Sequence, residues 1–465
     1  MTDDVDVVVL GGGSGGYACA LRAAQLGLSV ALVEQDRLGG TCLHAGCIPT
    51  KALLHAAEVA DAARDSEQFG VNATLEGIDM GGVHKYKDSV VARLFAGLTG
   101  LVRARGITVV EGRGRLVGPH TVEVNGRSIT GRAVVLATGS SPRSLPGLQV
   151  DGHRVLTSDS ALTLDHVPAS AVVLGGGVIG CELASVWRSF GADVTILEAL
   201  PRLVAGEDEA VSRQLQRAFA RRGISVGVDT SFRSVERMEP SSADRAPGVR
   251  VHVSGGEPVE AELLLVAVGR GPRTDGLGLE EHGVATSGGF VHTDDRLRTS
   301  VDGVYAVGDI VPGLQLAHRG FAQGTFVAEE IAGLEPTPVD ENGIPRVTYC
   351  DPEIASVGLT EAAARSAYGD EGVQCVTYDL AGNGRSQILR TQGFVKLVRR
   401  RQGPVVGIHV IGARAGELVG EAQLIHGWEA FPEDVAGLLH AHPTQNEALG
   451  EAHLALAGTP FHAHS

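Results

Sequence analysis

Apolar positions in the first half of the chain follow one order that occurs twice. Residues 5–10 form a β-branched run of the kind that makes a buried strand. Glycines follow at Gly11, Gly13 and Gly16, and then a helix-length amphipathic stretch that ends at Gly27. A second apolar run closes the segment at Glu34. Residues 7–34 and 171–198 align without a gap, which sets Gly11, Gly13, Gly16, Gly27 and Glu34 on Gly175, Gly177, Gly180, Gly191 and Glu198. Each copy predicts strand, helix, strand. Beyond the first copy, residues 51–64 carry a helical pattern rich in alanine and leucine, and Pro336, Pro338 and Pro345 mark a linker over 334–345.

A βαβ unit opening with G-x-G-x-x-G is built to take a dinucleotide. The first glycine makes the turn, the second lets backbone approach a pyrophosphate, and the third packs helix on strand. The helix N-terminus offers free N–H groups to the phosphates. The closing carboxylates, Glu34 and Glu198, can accept from ribose hydroxyls. A carboxylate at Glu198 would repel a 2′-phosphate, so the second site is expected to prefer NAD to NADP. Two dinucleotide sites in one chain imply electrons passing between them.

Composition narrows the field. The 465 residues imply two to four domains. Lys plus Arg number 39 against 55 Asp plus Glu, a net charge of −16 that disfavours nucleic acid and anionic membrane as partners. No segment offers the ~20 uninterrupted apolar residues of a membrane span. The acidic start leaves no room for a basic targeting segment, and six cysteines are too few for a secreted disulfide scaffold, so a cytoplasmic location is expected. The 64 glycines, about twice the average share, call for many close backbone approaches.

Two of the cysteines stand out. Cys42 and Cys47 would lie about 140° apart around an ideal helix, so a disulfide between them needs a distorted turn. Gly46 allows one, and Pro49 cannot bond to the carbonyl of Ala45. A thiolate here is expected to have a lowered pKa, from the helix N-terminus and from Lys51. Buried structural thiols or a zinc site using His44 and His55 are the other readings. Cys19, Cys181, Cys350 and Cys375 are dispersed and read as small core residues. Near the C-terminus Pro443 pushes His442 into extended backbone before a helix, and Glu447 on that helix is placed to reach back to the imidazole. Such a pair fixes the tautomer and leaves one ring nitrogen to take a proton. The alternate histidines of residues 461–465 read as a loose tail.

Residues 39–51, GGTCLHAGCIPTK, resemble the redox-disulfide signature of the flavin disulfide reductase family (the class I pyridine nucleotide–disulfide oxidoreductases). Within it they are most similar to the members that oxidise dihydrolipoamide. ATGS at 137–140, GVYAVGDI at 303–310, LAH at 316–318, VGRGPRT at 268–274 and HAHPTQNE at 440–447 continue the likeness in order. His44, Gln323 and Arg273 depart from it, standing where asparagine, glutamate and asparagine are common.

The resemblance implies an α/β fold with two Rossmann-like FAD/NAD(P)-binding domains and a C-terminal α+β dimerisation domain. The expected segments are 1–150 for FAD, 151–272 for NAD, 273–343 returning to the FAD domain, and 344–465 for the interface. It places Gly11, Gly13, Gly16, Glu34, Gly40, Thr41, Lys51, Gly114, Thr138, Gly139, Ser140, Asp309 and Ala317 around FAD. It places Gly175, Gly177, Gly180, Glu198 and Gly269 around NAD. Cys42, Cys47, His442 and Glu447 carry the catalysis, with Glu182 paired to Lys51. No metal is implied. The expected reaction is oxidation of protein-bound dihydrolipoamide with NAD⁺ by a homodimer whose partner is a lipoylated E2 or H protein. Other members, the glutathione and mercuric reductases among them, and a docking subunit with incidental diaphorase activity are the alternatives. A glutathione reductase would prefer a basic residue where Glu198 stands.

Overall fold

The computed structural model describes residues 3–238 and 248–462. Met1 and Thr2 of the acidic start, and Ala463, His464 and Ser465 of the tail, lie outside the described residues. The chain is mixed α/β and divides into two compact units. One comprises Met1–Leu53, Asp79–Arg143 and Gly269–Val339; the other comprises Leu54–Ile78, Ser144–Val268 and Asp340–Ser465.

In the first unit, strands Thr108–Glu111, Val30–Glu34, Asp3–Leu10 and Arg127–Leu136 lie side by side and parallel. Val8 aligns with Ala31 on one side and Val134 on the other. The alternation of Asp3–Leu10 divides its side chains between two cores. Val7 and Val9 join Cys19, Ala20 and Ala23 of the Ser14–Gln25 helix, while Val8 and Leu10 join Leu116, Val122 and Ile310. Both faces are buried, which is why the strand reads as a continuous β-branched run. Strand Arg127–Leu136 changes partners along its length: its start pairs antiparallel with Thr121–Val124, and its end pairs parallel with Val304–Ala306. Helix Ala317–Ile331 packs on the Ser14–Gln25 helix through glycine. A β-carbon on Gly324 would stand 2.2 Å from the carbonyl oxygen of Gly15. Part of the glycine excess is spent here.

The second unit has a five-stranded parallel sheet in the order Ser225–Gly227, Asp193–Leu197, Ser170–Leu174, Leu263–Val266 and Val155–Thr157. A three-stranded antiparallel sheet, Phe232–Met238, Gly248–Val253 and Val259–Ala261, accompanies it. The C-terminal part is a five-stranded antiparallel sheet, Arg346–Thr348, Glu353–Gly358, Val405–Gly412, Phe394–Arg400 and Val373–Asp379. Helices Ala415–Gly427 and Glu447–Leu456 share its core through Leu418, Ala422, Leu449 and Ala452. Residues of the Cys47–Arg64 helix beyond Leu53 belong to this unit, where Asp61 meets Arg222 at 3.1 Å and accepts from the Ser189 hydroxyl at 2.5 Å. Among the described residues no helix is long and apolar enough to cross a membrane.

Leu136 is fully buried where Arg127–Leu136 meets Val304–Ala306. Leu136→Ala should cost about 2–5 kcal/mol through lost burial and the cavity left. Urea unfolding of wild type and variant checks this, and a change within ±0.5 kcal/mol would contradict the placement.

Candidate functional site

The two fingerprints have the same local geometry. Gly11 and Gly175 have φ of +110° and +104°, a conformation that L side chains rarely adopt. A β-carbon on either would also come within 2.3 Å of a backbone carbonyl, that of Ala137 or Ala267. At the third glycines a β-carbon would lie 1.8 Å from the Gly11 oxygen for Gly16, and 2.0 Å from the Gly175 oxygen for Gly180. At Gly13 and Gly177 it would meet nothing within 4 Å. The cradle is therefore tight against the strand and open where a phosphate would approach the helix N-terminus.

Each closing glutamate is pinned to its own fingerprint. Glu34 accepts from the N–H groups of Gly12 (2.6 Å) and Asp36 (2.8 Å); Glu198 accepts from those of Gly176 (2.6 Å) and Leu200 (2.7 Å). Every carboxylate oxygen keeps a lone pair for a sugar hydroxyl. Gly12 and Gly176 were not singled out from sequence, although they too repeat. A β-carbon on Gly176 would stand 2.3 Å from Leu203.

The other residues expected near FAD are spread over several elements of the first unit. Asp309 accepts from the Ser140 hydroxyl at 2.5 Å, and Ser140 in turn accepts from Arg270 Nε at 2.8 Å. The Thr138 hydroxyl donates to the Arg273 carbonyl at 2.6 Å, and Gly139 has φ of +73°. Ala317 opens its helix after extended Leu316. Gln323 accepts from the Gly308 N–H at 2.8 Å, beside Asp309. Gly40 opens helix Gly40–Ala45, and its β-carbon would meet Gly13 Cα at 2.8 Å, so the cysteine segment lies against the fingerprint. Gly114 starts a strand whose own β-carbon would strike Leu10, a packing requirement. Gly269 has φ of +105° and falls in the first unit, whereas Gly175, Gly177, Gly180 and Glu198 fall in the second.

The cysteine helix begins earlier than its pattern suggests. Helix Gly40–Ala45, which contains Thr41 and Cys42, stops at Gly46, and a new helix runs Cys47–Arg64. A β-carbon on Gly46 would stand 2.9 Å from the Thr41 carbonyl. Pro49 then sits in the first turn, where backbone nitrogens have no intrahelical acceptor and a missing N–H costs nothing. The break comes from Gly46 rather than from Pro49.

Cys42 and Cys47 are not joined in this structure and share a hydrogen bond. That bond and burial push the Cys42 thiol well above its ordinary value, although Ser14 and the Lys51 charge pull it down. For Cys42 the expected lowering is thus reversed, because the bond to a neighbouring sulfur and burial outweigh the Lys51 charge. Tyr17, one turn into the Ser14–Gln25 helix, is pushed up to about 12 by burial and by the charges of both sulfurs. Ser14 and Tyr17 were not read from sequence, since their nearness to Cys42 depends on how the segment folds back. His44 is engaged with the Leu38 carbonyl at 2.8 Å and packs edge-on to Phe95, and His55 pairs with Glu58. No cluster of His, Cys, Asp and Glu suited to a metal occurs among the described residues.

In the second unit, His442 Nδ1 lies 2.8 Å from Glu447 Oε1, and Glu447 Oε2 accepts from the Thr444 N–H at 2.7 Å. Glu447 is the first residue of its helix. Burial alone would raise its carboxyl, but Thr444 and His442 hold it below the usual range. The His442 side chain is 78% exposed. Glu182 accepts from the Tyr349 N–H at 2.9 Å in the same unit, and Lys51 belongs to the other. His440 Nε2 meets Glu421 at 2.7 Å, and that bond raises the imidazole against the opposing effect of burial. His462 is tied to Glu451 at 2.7 Å, so the tail is anchored at least that far.

Two family models match the chain: pyridine nucleotide-disulphide oxidoreductase over residues 5–324, and the dimerisation domain of the same family over 344–453. A dihydrolipoyl dehydrogenase of Bacillus subtilis is 39% identical over 99% of this chain and 100% of the relative. One from Geobacillus stearothermophilus is 40% identical over 99% and 97%. Among solved structures, LpdA from Mycobacterium tuberculosis superposes with a TM-score of 0.89 at 28% identity, covering 98% of this chain and 100% of that one.

The His440–Glu421 pair gives a pH test. An imidazole raised from 6.5 contributes stability that is complete below 6.5 and is lost as pH rises through the folded value. The thermal midpoint of wild type should therefore exceed that of His440→Gln most at pH 6 and progressively less toward pH 9. A gap that widened with pH would refute the ion pair.

Proposed function

Because the chain belongs to the pyridine nucleotide-disulphide oxidoreductase family, we propose that it oxidises protein-bound dihydrolipoamide to lipoamide with NAD⁺ as acceptor. The observation that carries this reading is the Cys42–Cys47 pair, two sulfurs in hydrogen-bond contact at a helix start, flanked by Ser14 and Lys51. The curated relatives of matching length bear the name of that activity.

The residues present fit both dinucleotides. FAD would be held by Gly11, Gly13, Gly16 and Glu34, with Gly40, Thr41, Lys51, Gly114, Thr138, Gly139, Ser140, Asp309 and Ala317 around it. The open β-carbon direction at Gly13 and the spare lone pairs of Glu34 support this. NAD would be held by Gly175, Gly177, Gly180 and Glu198, with Gly269 assigned to it by the family resemblance alone. Together the two dinucleotides would supply a two-electron relay, from the dithiol through FAD to NAD⁺ as hydride. We divide the chain functionally at about 150, 272 and 343, into FAD, NAD, returning FAD and interface segments.

In the resting state Cys42 and Cys47 form a disulfide. His442 takes a proton at Nε2 from one substrate thiol, while Glu447 at Nδ1 orients the ring and stabilises the imidazolium. The substrate thiolate attacks Cys42 Sγ, the disulfide breaks, and Cys47 leaves as thiolate. The second substrate sulfur attacks the first, which closes lipoamide; Cys42 leaves and takes the proton of that second thiol, while His442 keeps the first. Two electrons have then passed from substrate to the cysteines. One proton remains on Cys42 and the charge on Cys47, the distribution that their hydrogen bond favours. Lys51 would hold positive charge near that thiolate, and only the family resemblance names Glu182 as its partner.

His442 and Glu447 lie within the segment matched by the dimerisation model, which supports a homodimer in which they serve the partner's cysteines. The physiological partner is then a lipoylated E2 or H protein, in the cytoplasm. The Glu198 carboxylate is against an NADP-linked glutathione reductase.

Purified holoenzyme should form NADH from dihydrolipoamide and NAD⁺. Cys42→Ser and Cys47→Ser should each abolish this, and His442→Gln should slow it by roughly 10²–10⁴. His442→Gln should still pass electrons from NADH to an artificial acceptor, which needs no thiol proton moved. Faster turnover of glutathione disulfide or mercuric ion with NADPH would sink the reading.

The nucleotide preference follows from Glu198. Glu198→Ala should weaken NAD⁺ and narrow its advantage over NADP⁺, read as the ratio of kcat/KM values. A wild type that used both equally would remove the basis for assigning NAD.

A further inference from the structure

Between helix Pro432–Ala436 and helix Glu447–Leu456 lies the loop that carries His442. Side chains hold this loop. Gln445 donates to the Ala413 carbonyl at 2.9 Å and accepts from the Ser386 hydroxyl at 2.7 Å, and Asn383 donates to the Thr444 carbonyl at 3.0 Å. One carboxylate grips it at both ends. Glu421, on helix Ala415–Gly427, meets His440 Nε2 with Oε1 at 2.7 Å and accepts from Asn446 Nδ2 with Oε2 at 2.7 Å.

His440 and Asn446 bracket His442, and Asn446 immediately precedes Glu447. The His440 ring lies against Gly450, where a β-carbon would come 2.6 Å from Nδ1. Its neighbours on the Glu447–Leu456 helix are Glu447, which favours its charge, and His453, whose own charging burial opposes. Both oxygens of Glu447 are already taken, by His442 and by Thr444. Glu447 can orient the imidazole only as well as the loop itself is placed.

The geometry points to Glu421 and His440 as positioning residues for His442: a second histidine–carboxylate pair that fixes the loop carrying the first. The assignment rests on the dihydrolipoamide reading above. Glu421 acts through His442 and touches no substrate. Removing it frees both ends of the loop, and a displacement near 1 Å is enough to cost about 10²-fold in a proton transfer. The Gln side chain offers Glu421's shape without its charge. It can accept from His440 while a turned Asn446 amide accepts from it.

The test uses full-length holoenzyme. Glu421→Ala should lower kcat for dihydrolipoamide by about 10–100-fold with little change in KM. NADH-driven reduction of an artificial acceptor and flavin content should stay at wild-type levels, and Glu421→Gln should restore most of the loss. Made in a His442→Gln background, Glu421→Ala should cost little more, because its effect passes through the missing imidazole. Asn446→Ala, which cuts only one arm, should show a smaller loss of the same kind and serves if Glu421→Ala does not fold. Wild-type kcat in Glu421→Ala, equal loss of both activities, or a full further loss on top of His442→Gln would each overturn the brace alone. A wild type inactive toward dihydrolipoamide would instead overturn the functional reading beneath it.

Discussion

At the first turn of each nucleotide unit a helix rests on the carbonyl that ends the preceding strand, with no room for a β-carbon between them. Gly16 over Gly11, and Gly180 over Gly175, are approaches that no other residue permits. Much of the site geometry depends on them. Only a helix seated this low brings its N-terminal N–H groups level with the open side of Gly13 and Gly177. Only then does its first residue, Ser14, reach Cys42, and its fourth, Tyr17, come close enough to feel both sulfurs. The closing glutamates are drawn into the same construction, because the backbone N–H each accepts from belongs to the glycine between the first two of the motif. A cradle for phosphates and a wall for a thiol pair are thus two sides of one helix start.

The thiol pair uses that wall to make its sulfurs unequal. Two negative charges so close and largely removed from water would repel strongly, so one proton stays. The shared hydrogen bond and burial both hold the Cys42 thiol up, and Cys47 stands at the start of the longer helix. Inequality is chemically useful, since in thiol–disulfide exchange the sulfur of lower pKa departs faster.

Local and repeated features were legible in the sequence; encounters between distant segments were not. Both fingerprints, their closing glutamates and the buried strand 5–10 follow from glycine spacing and hydrophobic pattern. The helix over 51–64 was found, but its start at Cys47 was missed, because Gly46 ends one helix by a close approach to Thr41 that no periodicity records. Lys51 and the helix end argued for lower thiol pKa values. What they omitted was the second sulfur itself, whose nearness to Cys42 is a tertiary fact. His442 and Glu447 lie five positions apart and could be paired by eye. His440 finds Glu421 on another helix, and nothing in the residues around His440 announces that partner.

The pairing of Val304–Ala306 with the end of Arg127–Leu136 carries a consequence for how the protein is made. The first unit is interrupted by residues 144–268, which belong to the second. During synthesis the ribosome delivers four parallel strands and their helices, then a whole parallel sheet of a different unit, before the strand that completes the first appears. Until then the end of Arg127–Leu136 is an open edge, with apolar residues on both faces and unpaired backbone groups along one side. Long-range pairing of this kind is slow and leaves nascent chains prone to association. Residues 144–268, with their complete parallel sheet, are therefore synthesised while that edge is still unpaired.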